Sequence, residues 1–360
     1  MRHIGFAYKL LRKGAEYARI FPADNGSPRI STRSSADKKM VLSGTFTSTA
    51  LSVSGAQKEI NWYSDEIQPV LLIDKVEYPL GIYIPGEPRE SGDDISEFIT
   101  LDAYDRCARA EEAKTESIIH FAKGTAYLNI IKQLLTASGI LSVVATPFPG
   151  VLQEDREDWD IGTSHLEIIN DLLKEINYAP LWFDARGVAV LRPKVAPSAR
   201  TIDHILSDKP RAPGVEKIER LLPGYSRRTN AYSTPNVFIC ICSNPDKDGV
   251  MFAISENDNP SSPISTVSRG RRICQKVQIN NIESQEALQQ FANNMRDESM
   301  TSSETYTVTT ALLPGWGVSD VTAIHYKDID EICTEESWSM ELAVGGVMTH
   351  ELRKVAYNLG

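Results

Sequence analysis

The most legible pattern in the chain is an alternation near its C-terminal end. Trp338, Met340, Leu342 and Val344 alternate with Ser339, Glu341 and Ala343; beyond Gly345 and Gly346, Met348, His350 and Leu352 alternate in the same way. A period of two half-buries a β-strand, so this segment predicts a hairpin turning at the two glycines. Two registers are open. A two-residue loop would put Met340 opposite Glu351 and Trp338 opposite Arg353. A three-residue loop, from Gly345 to Val347, puts Val344 opposite Met348, Leu342 opposite His350 and Met340 opposite Leu352. The second matches apolar with apolar better and is preferred, although glycine is usually wanted where Val347 stands.

The same period recurs early in the chain. Met40, Leu42 and Phe46 share one face of a strand, with Val41, Ser43, Thr45 and Thr47 on the other. Residues 70–73, the pair Asp74 and Lys75, and residues 76–78 read as strand, turn and strand. A further strand over 80–84 follows, and Ile99, Leu101 and Ala103 alternate after it. Many short strands at close spacing predict a barrel or sandwich. Residues 1–30 are basic and turn-rich and receive no assignment.

Between about 116 and 200 the period becomes helical. Tyr127, Ile130, Ile131, Leu134 and Leu135 form one apolar face, opened by Gly124 and Thr125 and closed by Gly139. Ser164 and Glu167 make a capping box ahead of Leu166, Ile169, Leu173 and Ile176, with Pro180 as the stop. Trp182 and Phe183, then 184–187 and 188–191, read as a small hairpin. Prolines 193, 197, 210 and 213 surround a short helical piece at 202–206. Beyond them Val237, Ile239 and Ile241 share a strand face, 250–254 form another strand, and one helix after Ser284 carries Leu288, Phe291, Ala292 and Met295. Residues 305–311 lead into the terminal strands. The expected fold is mainly β with an α+β insert: a β unit at 1–115, an α+β unit at 116–200, a Pro-rich connector at 201–213, and a second β unit with one helix at 214–360.

Composition narrows the class. The 360 residues are 41% hydrophobic and 24% charged, which suits a soluble globular protein of two or three domains. A formal net charge of −10 argues against a protein whose main work is gripping phosphate backbones. No apolar run approaches the roughly 18 to 20 residues of a bilayer span, so no membrane anchor is expected. Residues 1–14 lack the apolar core of a secretory signal. Five scattered cysteines then read as reduced thiols of a cytosolic fold.

Candidate chemistry is sparse. Cys240 and Cys242 point the same way on one strand and could, with Cys274 and Cys333, make a four-sulfur metal site; the spacing is not that of a zinc knuckle, and small apolar core residues are the preferred reading. The acidic run 154–160 could supply paired carboxylates for glycoside cleavage, against the plainer reading of a solvated loop. His325 and His350 sit in strand-like segments, and His165 lies on a helix surface. Trp159, Tyr178 and Trp182 could form an exposed carbohydrate-binding cluster but read better as core. No catalytic, cofactor or metal residue is assigned. The serine-rich stretch 257–272 ends in Arg269, Arg271 and Arg272, the candidate contact to a neighbouring subunit, since arginine is favoured at interfaces.

Several segments together resemble the phage tail hub family: RISTRSSADKKMVLSGTFT (29–47), FITLDAYDR (98–106), the stretch 160–191, NVFICICSN (236–244), NDNPSSPISTVSRGRRI (257–273) and the terminal hairpin. That family includes baseplate hubs of contractile phages, late control protein D and the base of type VI secretion spikes; the resemblance is closest to hubs of Gram-positive prophages. It implies two tail-tube-type β-barrels joined by the α+β unit. It also implies a homotrimeric ring of six barrels between a tail tube or distal tail protein and a spike or tip protein. DNA would pass through an acidic bore without specific binding. Such a protein would be assembled in the bacterial host cytoplasm and reside at the virion tail tip. The chain stops after VAYNLG, so no appended lysin domain is expected. A tail-tip cell-wall hydrolase and a carbohydrate- or receptor-binding module are the alternatives.

Overall fold

The computed structural model describes residues 3–23, 27–92, 97–157, 159–209, 218–229, 234–242, 250–279, 282, 284–299 and 301–355. The first third runs strand after strand: β1 (Ile4–Arg12), β2 (Ala15–Ile20), β3 (Arg29–Thr32), β4 (Met40–Thr47), β5 (Ala50–Leu51), β6 (Gln57–Lys58), β7 (Glu66–Ile73), β8 (Val76–Pro79), β9 (Tyr83–Pro85), β10 (Arg89–Gly92) and β11 (Glu97–Asp105). Two of the turns explain their hairpins. Lys13 and Gly14, and again Asp74 and Lys75, all take positive φ (54°, 79°, 49° and 71°). Paired positive φ gives a two-residue turn whose twist matches that of the flanking strands. The strand expected over 80–84 begins only at Tyr83, because Gly81 turns at φ 110° and donates its N–H to the Ala185 carbonyl.

These strands close on themselves. β1 pairs with β2 and β7, β7 with β9, β9 with β11, and β11 with β4. The ring shuts where Pro22 bridges Phe46, with the Ala23 N–H on the Thr45 carbonyl and the Thr47 N–H on the Phe21 carbonyl. Inside, Leu42, Phe46, Ile67, Leu71 and Ile99 are buried, and Tyr8 meets Phe46 edge-on at 5.3 Å between ring centres. Burying each such side chain contributes about 1.5–3 kcal/mol. The alternation read along β4 and β11 is the inward face of this barrel.

The middle of the chain folds as α1 (Cys107–Glu112), α2 (Tyr127–Ala137), β12 (Val143–Ala145), α3 (His165–Glu175), β13 (Trp182–Phe183) and β14 (Ala189–Leu191). Ser164 caps α3 by accepting from the Glu167 N–H, as the capping box predicts. The helix ends before Pro180: Asn177 turns at φ 57° and the Tyr178 N–H returns to the Leu173 carbonyl. Ile130, Leu134, Ile169, Leu173 and Phe183 share a second core.

The remainder comprises β15 (His204–Ser207), β16 (Ile218–Thr229), β17 (Val237–Cys242), β18 (Met251–Glu256), α4 (Thr266–Arg269), β19 (Cys274–Ile279), α5 (Gln285–Ser299), β20 (Thr301–Ala311), β21 (Val321–Tyr326), β22 (Ile329–Glu341) and β23 (Val347–Val355). Six of these form a second closed barrel in the order β16, β20, β23, β22, β21, β15. The helical piece expected at 202–206 is in fact β15, a strand parallel to both its neighbours. Ile202, Ile205 and Leu206 have helical spacing, but the open ladders of β16 and β21 satisfy the backbone and bury Leu206. Pro210 and Pro213 of the connector lie outside the described residues.

The terminal hairpin adopts neither expected register. Met340 stands opposite Met348 and Trp338 opposite His350, around a five-residue connection from Leu342 to Gly346. The strand stops at Glu341 because the Leu342 N–H bonds Pro28 and the Ala343 N–H folds back onto Glu341. The slip from the preferred register is even, so Trp338, Met340, Met348, His350 and Leu352 still face inward and are buried.

Strands β17–β19 lie outside the barrel. They form their own sheet, β18-β17-β19, with α5 across one face, where Cys240, Cys242, Ala253, Leu288 and Ala292 pack together. The two barrels, by contrast, are sewn into one sheet. β3 pairs with β4 of the first (Ile30↔Leu42) and with β22 of the second (Ile30↔Met340), and a single apolar core runs through both.

Candidate assembly surface

The serine-rich stretch is an ordered arm pinned by one residue. Asn236 is fully buried; its amide donates to the carbonyls of Ile264 and Arg271, and its Oδ1 accepts from the Ile273 N–H. Buried Ser265 caps the short α4, and Gly270 ends it at φ 63°. The three candidate arginines part company here. Arg269 is half-buried and donates to the Thr234 carbonyl, and Arg272 pairs with Glu256. The Thr266 hydroxyl, then Arg272, hold the Glu256 carboxyl below its usual range. Arg271 is exposed, with Val267 exposed beside α4, so these two present the arm's outer surface.

Beside the arm lies an apolar block that periodicity alone did not single out. On the face of the small sheet away from α5, Ile239 stands opposite Ile254 and Ile241 opposite Phe252. Phe252 is 64% exposed and Ile254 47%. A strand with apolar residues on both faces carries the signal: Val237 to Cys242 has no polar position, as expected of a strand covered on both sides.

The other sequence candidates are dispersed. Cys240 and Cys242 lie under α5, Cys333 lies in the barrel core and Cys274 is exposed, so the four sulfurs belong to different surroundings. In the acidic run, Arg156 turns inward and makes a two-pronged pair with Glu175 at 2.9 Å, both side chains buried, while Trp159 packs against Phe121. The run is thus anchored from beneath. Tyr178 is buried and Trp182 half-buried, as expected of packing residues. His165 bonds Ser138 Oγ at 2.9 Å, and exposed His325 bonds Asp330.

A buried polar knot escaped the sequence reading. His350 sits between Glu335 (Nδ1 to Oε2, 3.1 Å) and Thr310 (Nε2 to Oγ1, 3.0 Å). Trp316 lies between the rings of His350 and His204, and His204 bonds Asp320. Burial, then the charges of Asp320 and Glu351, push the Glu335 carboxyl well above its usual range. Burial, then His204, pulls the His350 imidazole down to about 3. Both directions favour the uncharged forms, which makes the contact a hydrogen-bonded spacer inside the second barrel. No sequence spacing announces it, because its members come from four strands and a loop.

No protein-family model matches the chain, and no curated protein sequence matches it significantly. Its shape, however, has clear counterparts. A tail protein from Neisseria meningitidis MC58 superposes with a TM-score of 0.63 at 13% identity, over 97% of this chain and 96% of that one. The 43 kDa tail protein of prophage MuSo2 from Shewanella oneidensis gives 0.62 at 14% identity, over 97% and 98%. The fold is that of phage tail proteins. A component of the Escherichia coli type VI secretion system, itself similar to T4 bacteriophage tail proteins, shares this fold at a TM-score of 0.52 and 9% identity, over 97% of this chain and 77% of that one. With nearly full coverage, both barrels, the middle unit and the small sheet fall within the shared fold.

Proposed function

We propose that the chain is the structural hub of a phage or phage-derived tail tip or baseplate. Three copies form a ring in which six barrels continue the tail tube above and receive the spike or tip protein below. DNA passes through the ring without specific binding, consistent with the net charge of −10. A division into a first barrel (about 1–115), a middle unit (about 116–200) and a second barrel belongs to this reading, with β15 of the expected connector among the second barrel's strands and β17–β19 outside it. So do assembly in the host cytoplasm and a structural rather than catalytic role.

The observation that carries the reading is the presence of two closed barrels in one chain, joined through β3, within a fold shared end to end with tail proteins. A cyclic ring uses two different patches on each subunit. The exposed block of Phe252 and Ile254, with Arg271 and Val267 on the neighbouring arm, is one such patch, and a second copy of the chain is its proposed occupant. Light scattering across a wide concentration range, with negative-stain images of the same samples, tests this. Three-fold rings with a central hole are expected; a monomer at every concentration, alone and with tube protein added, would overturn it.

A further inference from the structure

A cleft of about 640 Å³ opens where the two barrels and the middle unit meet. Its walls come from the β3–β4 loop (Ser34, Ser35, Lys39), from the chain following β14 (Arg192, Lys194, Arg200) and from β22 and β23 (Glu335, Glu336, Arg353). Five of these side chains are basic and two acidic. The acidic pair does not balance the rest. Glu335 is buried against His350, and Glu336 is paired with Arg353. Arg200 is committed to Asp203 and the Ser319 carbonyl.

Two cations make no ion pair among the described residues. Lys39 is only 7% exposed, and its ammonium bonds the Ala36 carbonyl. Burial lowers its pKa and outweighs the opposing pull of Asp37 and Asp105, which lie beyond contact distance. Arg192 makes no ion pair; its guanidinium lies over the Trp182 ring, 4.9 Å from the ring centre. Beside it the indole N–H of Trp182 is buried, with no acceptor among the described residues. Lys39, Arg192, Ser34 and Ser35 therefore line one cleft.

We propose that this cleft binds carboxylate side chains of an acidic polypeptide segment, with Arg192 taking one carboxylate in two-pronged fashion and Lys39 neutralising a second. Planar carboxylate is the anion that a guanidinium fork fits bidentately without needing a third dimension of contacts. The cavity volume lies in the range of ligand pockets, about 300–1,000 Å³. It suits a few side chains rather than a phosphate backbone, which needs an open basic track. The inference does not depend on the tail reading, since it concerns cations that make no ion pair among the described residues.

The test is fluorescence anisotropy of a labelled octaglutamate peptide with the full-length protein at low salt. Saturable binding is expected, weakened roughly tenfold or more by Arg192→Ala and by Lys194→Glu, as loss of a charge-assisted contact requires. Lys194→Glu alters a second, partly buried lining residue and guards against a folding defect in the first variant; both melting curves are recorded. Absence of binding, or affinity unchanged in both folded variants, would overturn the proposal. So would tighter binding of an oligothymidylate of equal charge, or displacement of the peptide by millimolar inorganic phosphate, which would mean a nucleic-acid or small-anion site instead.

Discussion

Ile30 and Met340 face each other across the ladder that joins the two barrels. Both are buried, and Ile30 meets Leu42 on its other side. Ile30→Ala should cost about 2–5 kcal/mol, the usual range for emptying a core site. Because the core is continuous, the loss should appear as one transition. Urea unfolding followed by tryptophan fluorescence (the five tryptophans, Trp62, Trp159, Trp182, Trp316 and Trp338, are spread along the chain) and by far-ultraviolet circular dichroism should give coincident, equally shifted curves. Separate transitions would show that the barrels fold independently.

The Arg156–Glu175 pair is enclosed by the middle core. Removing Arg156 leaves the buried Glu175 without its counter-charge, so Arg156→Ala should destabilise by about 3–5 kcal/mol. Glu157→Ala, one residue on and paired with the exposed His120, should stay within about 0.5 kcal/mol. Comparable losses at the two positions would contradict the inward orientation of Arg156.

Glu335 gives a pH signature. Its folded pKa is raised, so its contribution is fully present below the usual carboxylate range and is lost as the pH rises toward the folded value. Glutamine has no proton to lose. The melting temperature of E335Q relative to wild type should therefore move in the variant's favour between about pH 4 and about pH 8. His350 is present in both proteins, so the difference isolates the carboxyl. A difference that stays flat, or moves the other way, would mean Glu335 is ionised in the fold.

The proposed subunit patch predicts a separation of assembly from stability. Phe252→Asp and Arg271→Glu change exposed side chains, so the monomer's melting temperature should stay within about two degrees, as for ordinary surface substitutions. Ring formation on electron microscopy grids should nevertheless fall sharply. Intact rings in the double variant would place the subunit contact elsewhere.

Much of this architecture was readable from the chain because it rests on local periods. The inward face of β4, the cap at Ser164, the turn at Asp74 and Lys75, and the helix carrying Leu288 and Phe291 are each set within a dozen residues. What escaped depends on distant partners. Residues 202–206 become a strand only because β16 and β21 offer ladders on either side. The terminal hairpin slides to its register because Pro28 captures the Leu342 N–H from more than 300 positions away. The strands from Val237 to Ile254 looked like more barrel, and nothing local distinguishes a barrel stave from a small sheet backed by α5. The arginine arm was legible as an ordered loop, but not which guanidinium it would leave outside.

The placement of β3 also has a mechanical meaning. In the ring proposed above, stiffness under a push or a twist is limited by the joints inside each subunit. Here the joint is not a linker but a strand hydrogen-bonded on both edges. Sliding one barrel along that strand would have to rupture several ladder bonds together, whereas a hinge would yield one bond at a time. Torque entering either half would thus reach the other with little slack, and the chain would respond to load as a single stiff plate.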